Sequence, residues 1–177
     1  MTAATLLIRP SVTADLPALC AIYRHHVLQG TSSFEIDPPD IAELGRRRDE
    51  LLAKGLPWLV AERAGEILGY AYASPFRPRP AYRHCLEDSV YLRPGAQGQG
   101  IGRWLLGELL ARCEALGARQ MVAVIGDSGN AGSIGLHRSL GFEHTGVLKS
   151  AGWKFERWLD VVLMQRSLGR SDREAPR

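Results

Sequence analysis

The chain has 177 residues, a length typical of one domain with its own hydrophobic core. Apolar residues make up 45% and charged residues 23% of it, which excludes disordered and fibrous classes. A net charge of +3 is too small to predict a nucleic-acid-binding surface. No apolar run reaches the roughly 20 residues of a membrane-spanning helix, and residues 1–10 lack a secretory signal pattern. We therefore predict a cytoplasmic protein with neither a nucleic acid nor a membrane as its partner.

In chain order, the first half predicts one strand, two helices and three further strands. The first strand covers residues 6–9, and Thr13 is expected to cap a helix whose apolar face runs from Leu16 to Val27. Pro38 and Pro39 mark the start of a second amphipathic helix, which continues to Leu52. Strands follow at residues 58–62, 67–73 and 87–92, and a hairpin turn at residues 63–66 joins the first two.

The second half alternates helices and strands. A glycine-rich turn leads into a helix with an apolar stripe from Ile101 to Leu116, and Gly117 is expected to end this helix. The continuous apolar run at 121–125 predicts a strand buried on both faces. A short helix at 133–140 and strands at 142–148 and 158–164 complete the pattern.

This order, β-α-α-β-β-β-α-β-α-β-β, predicts an α/β fold with a mixed sheet and helices on both faces. We assign residues 1–168 to a single domain. Residues 169–177 are polar and have no periodicity, so we predict a disordered tail there. The cysteines, Cys20, Cys85 and Cys113, are widely spaced in apolar surroundings, which favours free thiols over disulfides or a metal site, and we expect no metal.

The most informative segment is the glycine-rich turn at residues 97–102, which lies between a strand and a helix. Glycine lets the backbone adopt positive φ and approach a ligand, and N–H groups at a helix N-terminus bind phosphate. The dinucleotide fingerprint would require a third glycine where Arg103 stands, and the Gly-Lys-Ser/Thr ending of a P-loop is missing. The pattern that fits is Q/R-x-x-G-x-G/A, formed by Gln97, Gly100 and Gly102.

This turn, with the strand before it and the later Asn130-Ala131-Gly132-Ser133 segment, resembles the GNAT superfamily of N-acetyltransferases. The resemblance implies the GNAT acyl-CoA N-acyltransferase fold and acetyl-CoA as the co-substrate. In that family the turn binds the coenzyme A pyrophosphate, and the strand and the Asn contact pantetheine. The cofactor-binding residues implied here are Val90, Tyr91, Leu92, Gln97, Gly98, Gln99, Gly100, Ile101, Gly102, Asn130 and Ser133.

Within the superfamily, the chain most resembles the phosphinothricin and methionine sulfoximine N-acetyltransferases, from about Leu6 to about Leu168. Five segments carry this likeness: residues 57–62, 81–82, 87–92, 122–126 and 151–154, the last together with Trp158, Asp160 and Val161. The likeness implies acetylation of the α-amino group of a small amino-acid-like substrate, which would serve detoxification or resistance. It also implies a homodimer.

The likeness assigns two catalytic residues. Glu87 matches the catalytic Glu of the sulfoximine-type enzymes, and a carboxylate there could take the proton from an α-ammonium group, directly or through one water. Asp88 should point to the opposite face of the strand. His137 stands where many superfamily members have a Tyr that protonates the departing thiolate, so it is either a proton donor or an amine-side partner of Glu87.

Four residues are candidates for substrate binding. Arg77, Arg79 and Tyr82 lie in a Pro-rich loop, where a guanidinium fork suits a carboxylate, and the likeness favours Arg79. Phe34 would form a wall of the acceptor pocket. Trp153, Lys154 and Trp158 either line its other side, form a subunit contact or pack the last hairpin.

Two alternatives remain open from the sequence. The acceptor could be another amine, such as a protein N-terminus or a polyamine, although the arginines at 77 and 79 disfavour a polyamine. The chain could also be a non-catalytic acyl-CoA-binding sensor, which would not need Glu87 or His137.

Overall fold

The computed structural model describes residues 5–176, so the first four residues of the predicted domain and the last residue of the predicted tail lie outside the described part. Within it the order of elements is the predicted one. The structure also contains two short 3-10 turns that the sequence analysis did not predict, Thr13–Asp15 and Pro80–Tyr82. The helices and strands are β1 Leu7–Pro10, α1 Leu16–Gln29, α2 Ile41–Ala53, β2 Trp58–Arg63, β3 Glu66–Pro75, β4 Cys85–Leu92, α3 Ile101–Ala115, β5 Gln120–Gly126, α4 Ala131–Ser139, β6 Glu143–Lys154 and β7 Arg157–Ser167.

The strands form one mixed sheet in the order β1-β2-β3-β4-β5-β7-β6, as the prediction of an α/β fold required. Among the seven strands of residues 5–176, only β4 and β5 pair in parallel. Their pairing runs from Cys85↔Gln120 to Asp88↔Ala123 and then stops. The two strands diverge beyond this point, which leaves the ends of both strands facing an opening in the middle of the sheet.

Each face of the sheet has its own hydrophobic core. One core is centred on α3, where Leu105 and Leu109 are fully buried. The other packs α1 and α2 against aromatic side chains of β2 and β3, including Trp58 and Tyr70. Because side chains alternate along a strand, β4 directs Leu86 into the first core and Tyr91 into the second.

The helix starts differ from the sequence prediction. Thr13 does not cap α1, because it lies in a 3-10 turn in which Asp15 accepts a hydrogen bond from the Val12 N–H at 2.8 Å. The second helix is capped by Asp40, whose carboxylate accepts from the Glu43 N–H at 2.8 Å. A carboxylate can satisfy an orphan helix N–H, which the prolines cannot do, so the capping residue follows them.

The predicted burial of β5 on both faces is wrong at one residue. Val124 is 40% exposed, because β4 has diverged from β5 there. At the other end of the chain, Ser171 in the predicted tail is buried, and its hydroxyl accepts from the Gln120 side chain at 2.9 Å. Contacts with the domain therefore continue three residues beyond Leu168.

Candidate active site

A cavity of about 590 Å³ opens where β4 and β5 diverge, and we call it the cofactor cleft. It is bounded by the end of β4, the glycine-rich turn, the N-terminus of α4 and the start of the segment that joins α1 to α2. The predicted cofactor-binding residues that line it are Val90, Leu92, Gln97, Gly98, Gly100, Gly102, Asn130 and Ser133.

The glycine-rich turn has the geometry of an anion site. Gly98 and Gly100 have φ of 75° and 76°, a region that favours glycine, and α3 begins directly after Gly100. The first N–H groups of a helix have no partner within it and lie at the positive end of its dipole. The Gln97 side chain stabilises the turn by accepting from the Gly95 N–H at 2.9 Å, and Arg103 adds a positive charge to the cleft wall. These features fit a diphosphate.

Three of the predicted cofactor-binding residues, Tyr91, Gln99 and Ile101, direct their side chains away from the cleft. Ile101 is fully buried in the α3 core, and Tyr91 packs at the α1 side of the sheet. The Gln99 amide donates to the Gly95 carbonyl at 3.1 Å and accepts from Arg63 at 3.1 Å, away from the cleft. Only backbone atoms of these residues remain available to a cofactor.

The end of β4 presents backbone groups to the cleft. The Arg93 N–H donates to the Leu68 carbonyl of β3 at 2.8 Å, so the peptide groups of Leu92, one residue earlier, face away from β3. His26 Nε2 donates to the Leu92 carbonyl at 2.8 Å, and His26 Nδ1 lies 3.1 Å from Ser32 Oγ. The Leu92 N–H is thus oriented as a donor within the cleft.

His26 is a site residue that the sequence reasoning missed. Burial lowers its pKa more than the bond to Leu92 raises it, which favours the neutral ring. Neutral His26 donates from Nε2 and accepts from Ser32 at Nδ1, and it thereby links α1, β4 and the following loop. Nothing in the sequence around His26 marks this role, because both contacts depend on tertiary packing.

Glu87 lies on the α1–α2 side of β4, the side to which Tyr91 also points, and it is half-buried. Burial and the nearby negative charge of Asp88 raise its pKa, and the positive charge of Arg77 partly opposes them. A carboxylate with a raised pKa is a stronger base, which suits removal of a proton from an ammonium group.

The predicted substrate loop is exposed. The Arg77 guanidinium lies 4.6 Å from the centre of the Phe76 ring, and Phe76 packs edge-to-face on Tyr82. Arg79 is exposed and directly precedes the 3-10 turn Pro80–Tyr82. The charge that acts on Glu87 is that of Arg77, whereas the sequence reasoning had favoured Arg79 for the substrate.

Residues 30–40, the α1–α2 loop, are held over the end of the sheet. The Phe34 ring packs against Gly126 of β5 and Gly152 of β6, where added side-chain atoms would clash with it. Lys154 is buried, and its Nζ donates to the carbonyls of Gly30 and Ser33 at 2.9 and 2.6 Å. Lys154 therefore holds the α1–α2 loop, a contact that none of the three alternatives from the sequence had named.

His137 lies on the other face of β4 from Glu87. Its side chain is 5% exposed, and Nε2 is 2.8 Å from Asp88 Oδ2. Since Asp88 and Glu87 are neighbours on a strand, they point to opposite faces, as predicted. The structure therefore does not bring His137 to Glu87 as an amine-side partner, because the sheet lies between them.

Comparisons with known proteins identify the family. The sequence pattern of the acetyltransferase (GNAT) family matches residues 19–142. The chain belongs to this family. It is 59% identical to phosphinothricin N-acetyltransferase of Alcaligenes faecalis over 92% of this chain and 82% of that protein. It is 45% identical to L-methionine sulfoximine/L-methionine sulfone acetyltransferase of Pseudomonas aeruginosa, over 91% of this chain and 94% of that protein.

A solved structure extends the likeness to the fold. The GNAT-superfamily phosphinothricin acetyltransferase from Sinorhizobium meliloti, in complex with AcCoA, superposes with a TM-score of 0.95 at 49% identity. The match covers 98% of this chain and 94% of that one. The predicted GNAT fold and the enzyme class, an N-acetyltransferase, are confirmed. As a GNAT member the chain binds acetyl-CoA, and the cofactor cleft with its glycine turn has the shape and donors for it.

Two negative observations apply to residues 5–176. No helix in this part is both long and apolar enough to cross a bilayer. No three His, Cys, Asp or Glu side chains converge there as metal ligands would, and independence from metal remains a prediction.

Proposed function

We propose that this GNAT enzyme acetylates the α-amino group of phosphinothricin, methionine sulfoximine, methionine sulfone or a similar small amino-acid analogue. The observation that carries the proposal is a half-buried carboxylate, Glu87, on β4 beside the point where β4 and β5 diverge. The relatives with 59% and 45% identity act on this class of compound, which supports the substrate. Acetylation would inactivate such a compound, because an amide nitrogen no longer carries the positive charge of an amino group.

Residues on the two faces of β4 act at different steps of the reaction, Glu87 on one face and His137 on the other. Acetyl-CoA supplies an activated acetyl group as a thioester. Glu87 takes the proton from the substrate ammonium, directly or through one water, so that the free amine can attack. A backbone N–H of β4 that faces away from β3, toward the opening between β4 and β5, donates to the carbonyl oxygen as negative charge develops on it. His137 lies on the other face of β4, where its ring would stabilise the negative charge of the departing thiolate.

Substrate recognition is assigned to the exposed loop and the α1–α2 loop. Arg77, with Arg79 as a second candidate, would bind the substrate carboxylate through its guanidinium. Phe34 would bound the pocket for the substrate side chain, and Tyr82 supports Arg77 through Phe76. Two arginines at the entrance disfavour a polyamine acceptor, which carries several positive charges.

A thiol-release assay with a panel of acceptors tests the proposal. We expect turnover with phosphinothricin and methionine sulfoximine, and a loss of about 100-fold or more in kcat/KM for Glu87→Gln. Glu143→Gln, an exposed glutamate of β6, is the matched control and should retain wild-type rates. Turnover with spermidine or an N-terminal peptide alone would refute the substrate assignment. Binding of acetyl-CoA without any turnover would indicate a sensor.

We also propose that the enzyme is a cytoplasmic homodimer. All three cysteines are free thiols, which fits a reducing compartment. The last hairpin exposes three aromatic side chains: more than half of Trp153 and of Trp158, and half of Phe155. A second copy of the chain would bury them. Sedimentation of the wild type should give a dimer, and Trp158→Ser should weaken it. A monomeric wild type at micromolar concentration would refute the dimer.

A further inference from the structure

Asp88 occupies a special place in the sheet. It is the last residue of β4 that pairs with β5, so the cofactor cleft begins at the next residue. Its side chain is 1% exposed and faces α4, where Oδ2 meets His137 Nε2 at 2.8 Å. Its second oxygen, Oδ1, is buried and has no hydrogen-bond partner in residues 5–176. His137 is thus the group that balances this buried charge.

Hydrogen bonding defines where the protons of His137 lie. Nδ1 is 2.7 Å from the Ser133 carbonyl, which can only accept, so Nδ1 carries a hydrogen. A second proton must lie between Nε2 and Oδ2, because the Nε2 lone pair would otherwise face a lone pair of the carboxylate and the two would repel each other. Imidazole, with a reference pKa of about 6.5, is a stronger base than a carboxylate at about 3.9. The proton therefore belongs to the ring, and the pair is an imidazolium and a carboxylate.

Among residues 5–176, Asp88 is the charge that acts on the His137 ring. From α3, the Cys113 thiol faces Asp88, and burial with the Asp88 charge raises its pKa to about 12. From the sequence that follows α4, the Phe142 ring packs edge-on to His137. Glu87 lies across the strand on the other face. Burial lowers the pKa of His137, but the bond and charge of Asp88 and the Ser133 carbonyl outweigh it, and the net shift is upward.

The pair borders the site of chemistry. Asp88 and His137 line a small cavity of about 50 Å³ between the diverging strands, together with Ser89 and Val124. This cavity shares Val90 and Ser133 with the cofactor cleft, so it is the inner end of that cleft. A positive ring at this end would stabilise negative charge on a sulfur atom that leaves as thiolate.

We propose that Asp88 is a positioning residue, which keeps His137 as an imidazolium at the inner end of the cleft and so assists departure of the thiolate. The inference rests on the proposed acetyl transfer. Asp88 itself touches neither acceptor nor donor in this scheme, and it acts through the ring.

The test measures charge and turnover separately in the full chain. ¹⁵N-histidine NMR, with His137 assigned through His137→Gln, should show a charged ring in the wild type at pH 7. Asp88→Asn should show a neutral ring, because an amide N–H can donate to Nε2 while Nδ1 still donates to Ser133. We expect kcat at pH 7 to fall at least about tenfold in Asp88→Asn, with the acceptor KM changed less than about twofold. The exposed Asp172→Asn is the control and should match the wild type in both measurements.

The outcomes are separable. A neutral His137 in the wild type at pH 7 would overturn the inference even if the enzyme turns over normally, and this measurement needs no variant to fold. A neutral ring in Asp88→Asn with unchanged kcat would also overturn it, since the charge would then serve only structure. If His137→Gln keeps the wild-type kcat, the ring has no role and the inference falls. A wild type without turnover on any acceptor would instead refute the proposed function.

Discussion

The ring of Phe34 lies directly against the backbone of Gly152, although 118 residues separate them in the chain. A Cβ built at Gly152 would stand 2.3 Å from Cε2 and 2.5 Å from Cδ2 of Phe34, far inside van der Waals contact. Gly152 is therefore required by the position of the ring. Because Phe34 belongs to the α1–α2 loop, this contact connects the last hairpin to the loop that we propose as a wall of the acceptor pocket.

Gly152→Ala should push Phe34 out of place. We expect the acceptor KM to rise at least about fivefold while the acetyl-CoA KM stays within about twofold, since the clash lies outside the cofactor cleft. Steady-state kinetics with each substrate varied in turn provide the measurement. Gly146→Ala, on the same strand with open space around its Cβ position, is the control. Equal KM values for the two variants would show that Phe34 does not shape the pocket.

Lys154 holds the same loop by hydrogen bonds. Lys154→Met keeps the length of the side chain but leaves the carbonyls of Gly30 and Ser33 without their donor. Losing two bonds to a charged group should cost about 2–4 kcal/mol of unfolding free energy. For a domain of this size the melting temperature should then fall by roughly 5–15 °C in a calorimetric scan.

Lys149→Met provides the comparison for Lys154→Met. Lys149 lies on the same strand, is exposed and pairs with Asp160 at the surface. A surface pair contributes about 0–1 kcal/mol, so this variant should melt within about 3 °C of the wild type. If both variants melt together, the buried ammonium does not stabilise the loop.

The sequence brought most residues of the candidate site together because its motifs are local. Gly98 and Gly100 have the positive φ that the predicted turn allows, and Gly102 follows as the second residue of α3. Glu87 and Asp88 face opposite sides because strand alternation is also local. The family likeness added the identity of the co-substrate and the role of Glu87, which the pattern of residues could not provide.

What the sequence could not predict depends on contacts between distant segments. His26 meets Leu92 across 66 residues, and Asp88 meets His137 across 49. Neither pair has a spacing that a periodic pattern could reveal. The same applies to Gln99, which bonds to Gly95 and Arg63 and so turns away from the cleft that its neighbours line.

The charge of Arg77 should set the acid side of the pH profile. If Glu87 is the base, as we propose, its ionised form is the active one, so kcat/KM should fall as the pH drops through its raised pKa. Arg77 lowers that pKa, and Arg77→Met should therefore move the acid limb to higher pH. Arg83→Met, which removes an exposed arginine of the same loop, should leave the limb in place. If the acid limb lies at the same pH in Arg77→Met and Arg83→Met, the charge of Arg77 does not act on Glu87.

Two glycines at the start and the middle of α3 separate cofactor binding from helix stability. Gly100 has φ of 76° and precedes the helix, whereas Gly107 lies inside it with open space around its Cβ position. Gly107→Ala should stabilise the fold by about 0.5–1 kcal/mol, because alanine loses less backbone entropy in a helix.

Gly100→Ala should have the opposite consequence. An L-residue at this φ costs about 1–2 kcal/mol, and relief of that strain would turn the first N–H groups of α3 away from the cleft. We expect acetyl-CoA to bind at least about tenfold more weakly in isothermal titration calorimetry, with the acceptor KM little changed. Gly107→Ala should bind acetyl-CoA as the wild type does. Wild-type affinity in a folded Gly100→Ala would mean that the diphosphate is bound by other residues, and the turn would lose its assigned role.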